Sequence, residues 1–95
     1  MYAKKIDNLQ REVVNALREI DASVTILSGV GKGFPDLIVG LGGVNFLIEV
    51  KSKKTATLTP DQVEFFRTWS GQVDVIYSVE EAINLVTSSK KDMFN

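Results

Sequence analysis

Asp36, Glu49 and Lys51 are the residues of this chain whose types and spacing could do chemistry. They bracket two apolar runs separated by Gly42-Gly43, the sequence form of a β-hairpin. A two-residue loop there sets Leu41 against Val44, Val39 against Phe46, and Asp36 directly across from Glu49. Residues opposed in this way share a face, with Cβ atoms about 4.5–5.5 Å apart. Lys51 lies two residues past Glu49 and joins them on that face. A slip of one residue would part the three. Two carboxylates that close repel each other unless a shared proton, an ammonium group or a divalent cation neutralises them. Their hard oxygens suit Mg²⁺ or Mn²⁺. An acid pair, a hard cation and a lysine that meets an anion or a water make a phosphodiester-hydrolysis set. The plainer alternative is a strand with a surface Glu-Lys pair and a turn Asp.

Composition narrows the chemistry further. The chain has no histidine and no cysteine. That excludes imidazole acid–base catalysis, Ser-His triads, disulfides, and His or thiolate metal sites. Catalysis must use carboxylates, Lys, hydroxyls or a bound metal. The net charge of −1 argues against binding nucleic acid through bulk charge. However, Lys51, Lys53 and Lys54 cluster beside the candidate site, with Lys32 on the loop before it, and cations could replace missing positive charge. Neither a membrane-length apolar stretch nor a signal-peptide pattern is present, so the expected location is cytoplasmic, the host cytoplasm for a viral source. The 95 residues fit one small domain whose limited core would gain from homodimerisation.

The elements that must position the site follow from periodicity. Ile6, Leu9, Val13, Ala16, Leu17 and Ile20 repeat at helical spacing, which predicts an amphipathic helix over about 5–20 with Gln10 and Glu12 on its two borders and Arg11 facing solvent. Val44, Phe46, Ile48 and Val50 form an apolar stripe for the core on the far face of the second hairpin strand. Ser23 to Leu27 reads as a first strand. Ser28-Gly29-Val30-Gly31-Lys32-Gly33 follows, a flexible or phosphate-cradling loop but not a Walker A motif, since neither Ser nor Thr follows Gly31-Lys32. Pro35 cannot donate to a ladder, so the next strand should begin at Asp36.

After Lys51 the polar run Ser52 to Thr57 is a loop whose Lys53 and Lys54 could follow a nucleic-acid backbone. Thr59-Pro60-Asp61-Gln62 is a capping box with proline at the first helical position, and the helix should carry Val63, Phe66 and Trp69 on one face and stop at Gly71. Those aromatics, with Phe65 beside them, suit a core or a dimer interface better than base stacking. Val73 to Tyr77 is the last strand; Ser78-Val79-Glu80-Glu81 caps a final helix through Ala82, Ile83, Leu85 and Val86, and a polar tail starts near Thr87. The order αβββαβα implies a small α/β sandwich, a mixed sheet flanked by helices.

The string Gly33-Phe34-Pro35-Asp36-Leu37-Ile38-Val39, Gly42-Gly43, Ile48-Glu49-Val50-Lys51 and Leu58-Thr59-Pro60-Asp61-Gln62 resembles the VRR-Nuc (virus-type replication-repair nuclease) family of the PD-(D/E)XK nuclease superfamily. The resemblance runs from the first helix to the last. It implies a restriction-endonuclease-like fold and a Mg²⁺- or Mn²⁺-dependent endodeoxyribonuclease leaving 5′-phosphates. Asp36, Glu49 and the Val50 carbonyl would hold the metal, and Lys51 would orient the attacking water. Gln10 takes the slot where related nucleases often carry an acidic residue; Glu12 is its substitute if the helix is turned. The resemblance also implies phosphate contacts at Ser28 and Lys32 and a contact at Gln62. Stand-alone members resemble homodimers acting on branched DNA, which points to Holliday-junction resolution; the alternatives are a flap or nicking nuclease, or a non-catalytic DNA-binding module.

Overall fold

The structure is a computed structural model that describes residues 2–92, with side chains described for residues 8–88. Ile6 of the expected helical stripe, and the tail beyond Asp92, lie outside those limits. Seven elements follow one another: α1 (Tyr2–Glu19), β1 (Ser23–Ile26), β2 (Leu37–Leu41), β3 (Val44–Val50), α2 (Pro60–Thr68), β4 (Asp74–Ile76) and α3 (Val79–Asp92). The strands form one mixed sheet in the order β1-β2-β3-β4, antiparallel except for the parallel β3–β4 pair that α2 connects.

The hairpin has the expected register: Leu41 pairs with Val44, Val39 with Phe46 and Leu37 with Ile48. Gly42 and Gly43 both take positive φ, 62° and 83°, as a two-residue turn matched to the strand twist demands. Phe46, Ile48 and Val50 therefore enter the core together with Val13, Val14 and Leu17 of α1 and Ala82 and Val86 of α3. Helices α1 and α3 cover this face and pack on each other. Helix α2 lies on the opposite face, against Glu49 and Lys51 of β3.

Several boundaries differ from expectation for local reasons. Val14 lies outside the expected stripe, yet it is buried beside Val13, because it falls on the side of α1 that packs toward Ile26 of β1, which widens the apolar stripe. Strand β2 starts at Leu37 rather than Asp36, because the Asp36 side chain takes the Val50 N–H. β1 ends at Ile26, although Leu27 still donates to the Asp36 carbonyl at 2.7 Å. β4 is the shorter Asp74–Ile76. Helix α3 runs on through the polar residues after Thr87 to Asp92, since neither glycine nor proline follows Val86 to stop it.

Helix α2 departs most from expectation. It ends at Thr68 with Trp69 as its C-cap, and none of its residues is buried, so Val63 and Trp69 are exposed rather than in the core. Phe65 stacks on Trp69 with centroids 5.0 Å apart, and Phe34 meets Phe65 edge-on at 5.1 Å.

Candidate active site

The site forms where β2 begins and β3 ends. The hairpin register, continued one residue past the Leu37–Ile48 pair, sets Asp36 across from Glu49. Asp36 is fixed by its own side chain: Oδ2 accepts the Val50 N–H at 2.9 Å. Lys51 is fixed on the other side, its N–H donating to the Ile76 carbonyl at 3.0 Å. Glu49 and Lys51 thus point their backbone groups to β4, while Val50 points its own to β2. One residue further along, the register sets Val50 against Pro35, which has no N–H to give the Val50 carbonyl.

Glu49 is 3% exposed, the one buried charged side chain among the described residues. A carboxylate at such depth needs partners. Oε2 has them: the Gln62 side chain donates to it at 2.9 Å, and Lys51 Nζ lies 3.7 Å away. Oε1 is buried with no hydrogen-bond partner. Burial pushes the Glu49 carboxyl up to about 7, the neighbouring Asp36 charge adds to the rise, and Lys51 opposes it. Native structures rarely leave a buried carboxylate oxygen unsatisfied, and an absent ion is one established reason.

Gln62 holds the arrangement together. Its Oε1 accepts from Lys51 Nζ at 3.0 Å and from the Thr59 N–H at 2.9 Å, while its backbone N–H donates to Thr59 Oγ1. One amide completes the capping box of α2 and also bridges the glutamate and the lysine. Its partners are therefore inside the site, and it is half-buried rather than presented outward. Only glycine fits at position 33 of the preceding loop, where φ is +76° and an added Cβ would fall 2.2 Å from the Asp61 carbonyl oxygen. The loop before Asp36 therefore packs directly on the first turn of α2 and sets where Gln62 stands.

The other residues singled out in the sequence lie around this centre. Gln10 donates its side-chain amide to Ser28 Oγ at 3.5 Å rather than to either carboxylate. Glu12 lines a different cavity, with Asn8, Ser52, Lys53 and Tyr77. Lys54 stands 6.0 Å from the Tyr77 ring centroid, and Lys32, at φ 56°, is exposed on its loop. Ser28 and Lys53 are exposed as well. Among the described residues, no group of three or more Asp, Glu, His or Cys gathers. The available hard donors are thus two carboxylates and a backbone carbonyl, a set that fits Mg²⁺ or Mn²⁺ completed by water. The part played by Gln62 was only half legible: its capping role is local, but its reach to Glu49 depends on how α2 docks.

No helix among the described residues is long and apolar enough to cross a membrane. Neither protein-family models nor curated proteins yield a match to the chain. A solved structure described as a VRR_NUC domain is similar over 86% of this chain and 94% of its own, with a TM-score of 0.68 and 30% sequence identity. With that identity, that coverage and a mixed four-stranded sheet in the order αβββαβα, the chain belongs to the VRR-Nuc family of PD-(D/E)XK-type nuclease domains.

Proposed function

We propose that this chain is a divalent-metal-dependent endodeoxyribonuclease that cuts branched DNA as a homodimer, with the four-way junction as its substrate. The observation that carries the chemistry is Glu49: a buried carboxylate across from Asp36, with one oxygen held by Gln62 and Lys51 and the other without a partner. A module that only binds DNA has no use for an acidic pair that repels phosphate. Asp36, Glu49 and the Val50 carbonyl would hold Mg²⁺ or Mn²⁺, with Gln10 as an outer contribution from α1. When bound, such an ion polarises a phosphoryl oxygen and makes water a stronger nucleophile.

The chain's own residues do the rest. Lys51, kept in place by the Gln62 carbonyl oxygen, orients the attacking water and stabilises the negative charge that builds on the phosphate. Asp36 fixes the end of β3 through the Val50 N–H and so keeps Lys51 in register. Water adds to phosphorus as the bond to the 3′ oxygen breaks, leaving a 5′-phosphate and a 3′-hydroxyl. Ser28, Lys32, Lys53 and Lys54, exposed around the site, meet the flanking backbone. Two copies related by a two-fold axis would place two such centres on the two opposed strands of a junction.

The test is a gel assay on a four-way junction, a 5′ flap, a duplex and a single strand, each with Mg²⁺, Mn²⁺ or EDTA, with Asp36→Asn as control. Paired nicks in the junction, lost with EDTA and in the control, are expected. Preferential flap cutting keeps the chemistry and removes the junction assignment; no cleavage with binding retained removes the nuclease. Light scattering decides the dimer, and a monomer at high concentration would exclude paired cutting by one assembly.

A further inference from the structure

The end of the sheet that carries Asp36 also carries a basic cavity at the free edge of β1. It has a volume of about 320 Å³ and is lined by Gln10, Arg11, Val14, Asn15, Arg18 and Ile26. Ile26 pairs with Leu37, the residue after Asp36, so the cavity lies at the same end of the sheet, one strand (roughly 5 Å) from Asp36 and two strands (roughly 10 Å) from Glu49 in the hydrogen-bonding direction. Gln10 connects it to the loop before Asp36 through Ser28. Resting on the nuclease assignment above, we infer that this cavity binds backbone phosphates of the strand whose scissile bond lies at Asp36 and Glu49.

The lining residues are those a sugar-phosphate backbone requires. Arg11 and Arg18 are two turns apart on α1 with Asn15 between them, one stripe about 10 Å long at 1.5 Å per residue. That exceeds the roughly 3.4 Å rise per nucleotide of a duplex strand, so the two guanidinium groups can meet separate phosphates. Arg18 is pre-set: it donates to the Val24 carbonyl at 2.9 Å, which uses one of its five N–H groups and leaves the rest of the fork. Arg11 is steadied by Asn8 Oδ1 at 3.0 Å. Among the described residues neither guanidinium is paired with a carboxylate, whereas Arg67 on α2 is tied to Glu64 at 2.7 Å. Ile26, half exposed, supplies an apolar wall for a deoxyribose. In a chain of net charge −1, such local positive charge is what lets a backbone approach.

The experiment measures anisotropy of a labelled four-way junction in EDTA across a salt series, for the parent chain and for Arg11→Gln, Asn15→Glu and Arg18→Gln, with melting curves for each. Arg11→Gln is expected to weaken binding about three- to tenfold and to lower the slope of log K against log salt by about 0.9. Asn15→Glu should weaken it at least as much, and both should melt as the parent does. Arg18→Gln also removes the Val24 contact, so its binding counts only if its melting is preserved. Parent-like affinity and slope in both Arg11→Gln and Asn15→Glu would overturn the inference, as would a parent chain that does not bind DNA. If the parent binds with the expected slopes but never cuts, the nuclease assignment falls and the phosphate cavity stands.

Discussion

The two faces of the sheet are built on different terms, and β3 shows both within a few residues. Toward α1 and α3, Phe46, Ile48 and Val50 enter a dry core with Val13, Leu17 and Val86. Toward α2, Glu49 and Lys51 share the Gln62 amide and pair with each other, and the helix above them has no buried residue. The first face is held by apolar area, which has no preferred direction and accounts for most of the stability. The second is held by a few directed hydrogen bonds, each with a small net contribution. The stable face thus carries the cost of a site in which the buried Glu49 Oε1 has no hydrogen-bond partner.

Adjacent residues of β3 should therefore fail in opposite ways. Glu49→Gln keeps the shape and removes the charge. Cleavage is expected to fall by about 100-fold or more, the scale of losing one preorganised polar group from a reacting centre. Yet the metal-free protein at pH 8 should melt at or above the parent temperature, because a buried charge has gone. Ile48→Ala, one position earlier, should cost about 2–5 kcal/mol by leaving a cavity in the core, and chemical denaturation would read it. A Glu49→Gln protein that melts well below the parent at pH 8 would mean that the site face is structural too.

The same contrast has a pH signature. Burial pushes the Glu49 carboxyl up to about 7 in the folded chain, against the ordinary 4.5 of a glutamate. Its contribution to stability is therefore fully present below about pH 4.5 and is lost as pH rises through about 7, because the unfolded chain releases that proton more readily. Melting temperature without metal should fall across that window, and the fall should shrink in Glu49→Gln. Added Mg²⁺ or Mn²⁺ competes with the proton, so its stabilising effect should grow over the same range. Melts at pH 5, 6, 7 and 8 with and without metal test both signs.

What could be read from the sequence was what is local. The Gly42-Gly43 turn sets the hairpin register, and with it the placing of Asp36 across from Glu49. Thr59 to Gln62 states its own cap. Period-two alternation separates Phe46, Ile48 and Val50 from Glu49 and Lys51. The rest depends on docking between distant segments. Val14 is buried on the side of α1 that meets Ile26 of β1, a neighbour that helical spacing alone does not locate. The apolar spacing of Val63, Phe66 and Trp69 resembles a core stripe, but α2 is seated by Gly33 against Asp61 and by the Gln62 amide, so its aromatics gather around Phe34 instead. Gln10 sits where its helix places it, but its partner is a loop serine that spacing alone does not locate.

The smallest expected effect separates the two roles of Gln62. Thr59→Ala removes the cap on the α2 side and leaves the Gln62 amide free to hold Glu49 and Lys51; it should cost about 1 kcal/mol of stability, as cap deletions do, with cleavage near that of the parent. Gln62→Ala should cost a similar amount, since the Thr59 N–H loses its Oε1 acceptor while the residue 62 backbone N–H keeps Thr59 Oγ1. It also frees Lys51 Nζ and strips a donor from Glu49 Oε2, so cleavage should drop about tenfold or more, the penalty for a loosened reacting group. Losing that donor disfavours the charged form of Glu49 further, so the pH at which metal begins to stabilise the protein should move upward in Gln62→Ala and stay put in Thr59→Ala. If both variants cut alike and share one pH midpoint, Gln62 does no more than cap α2.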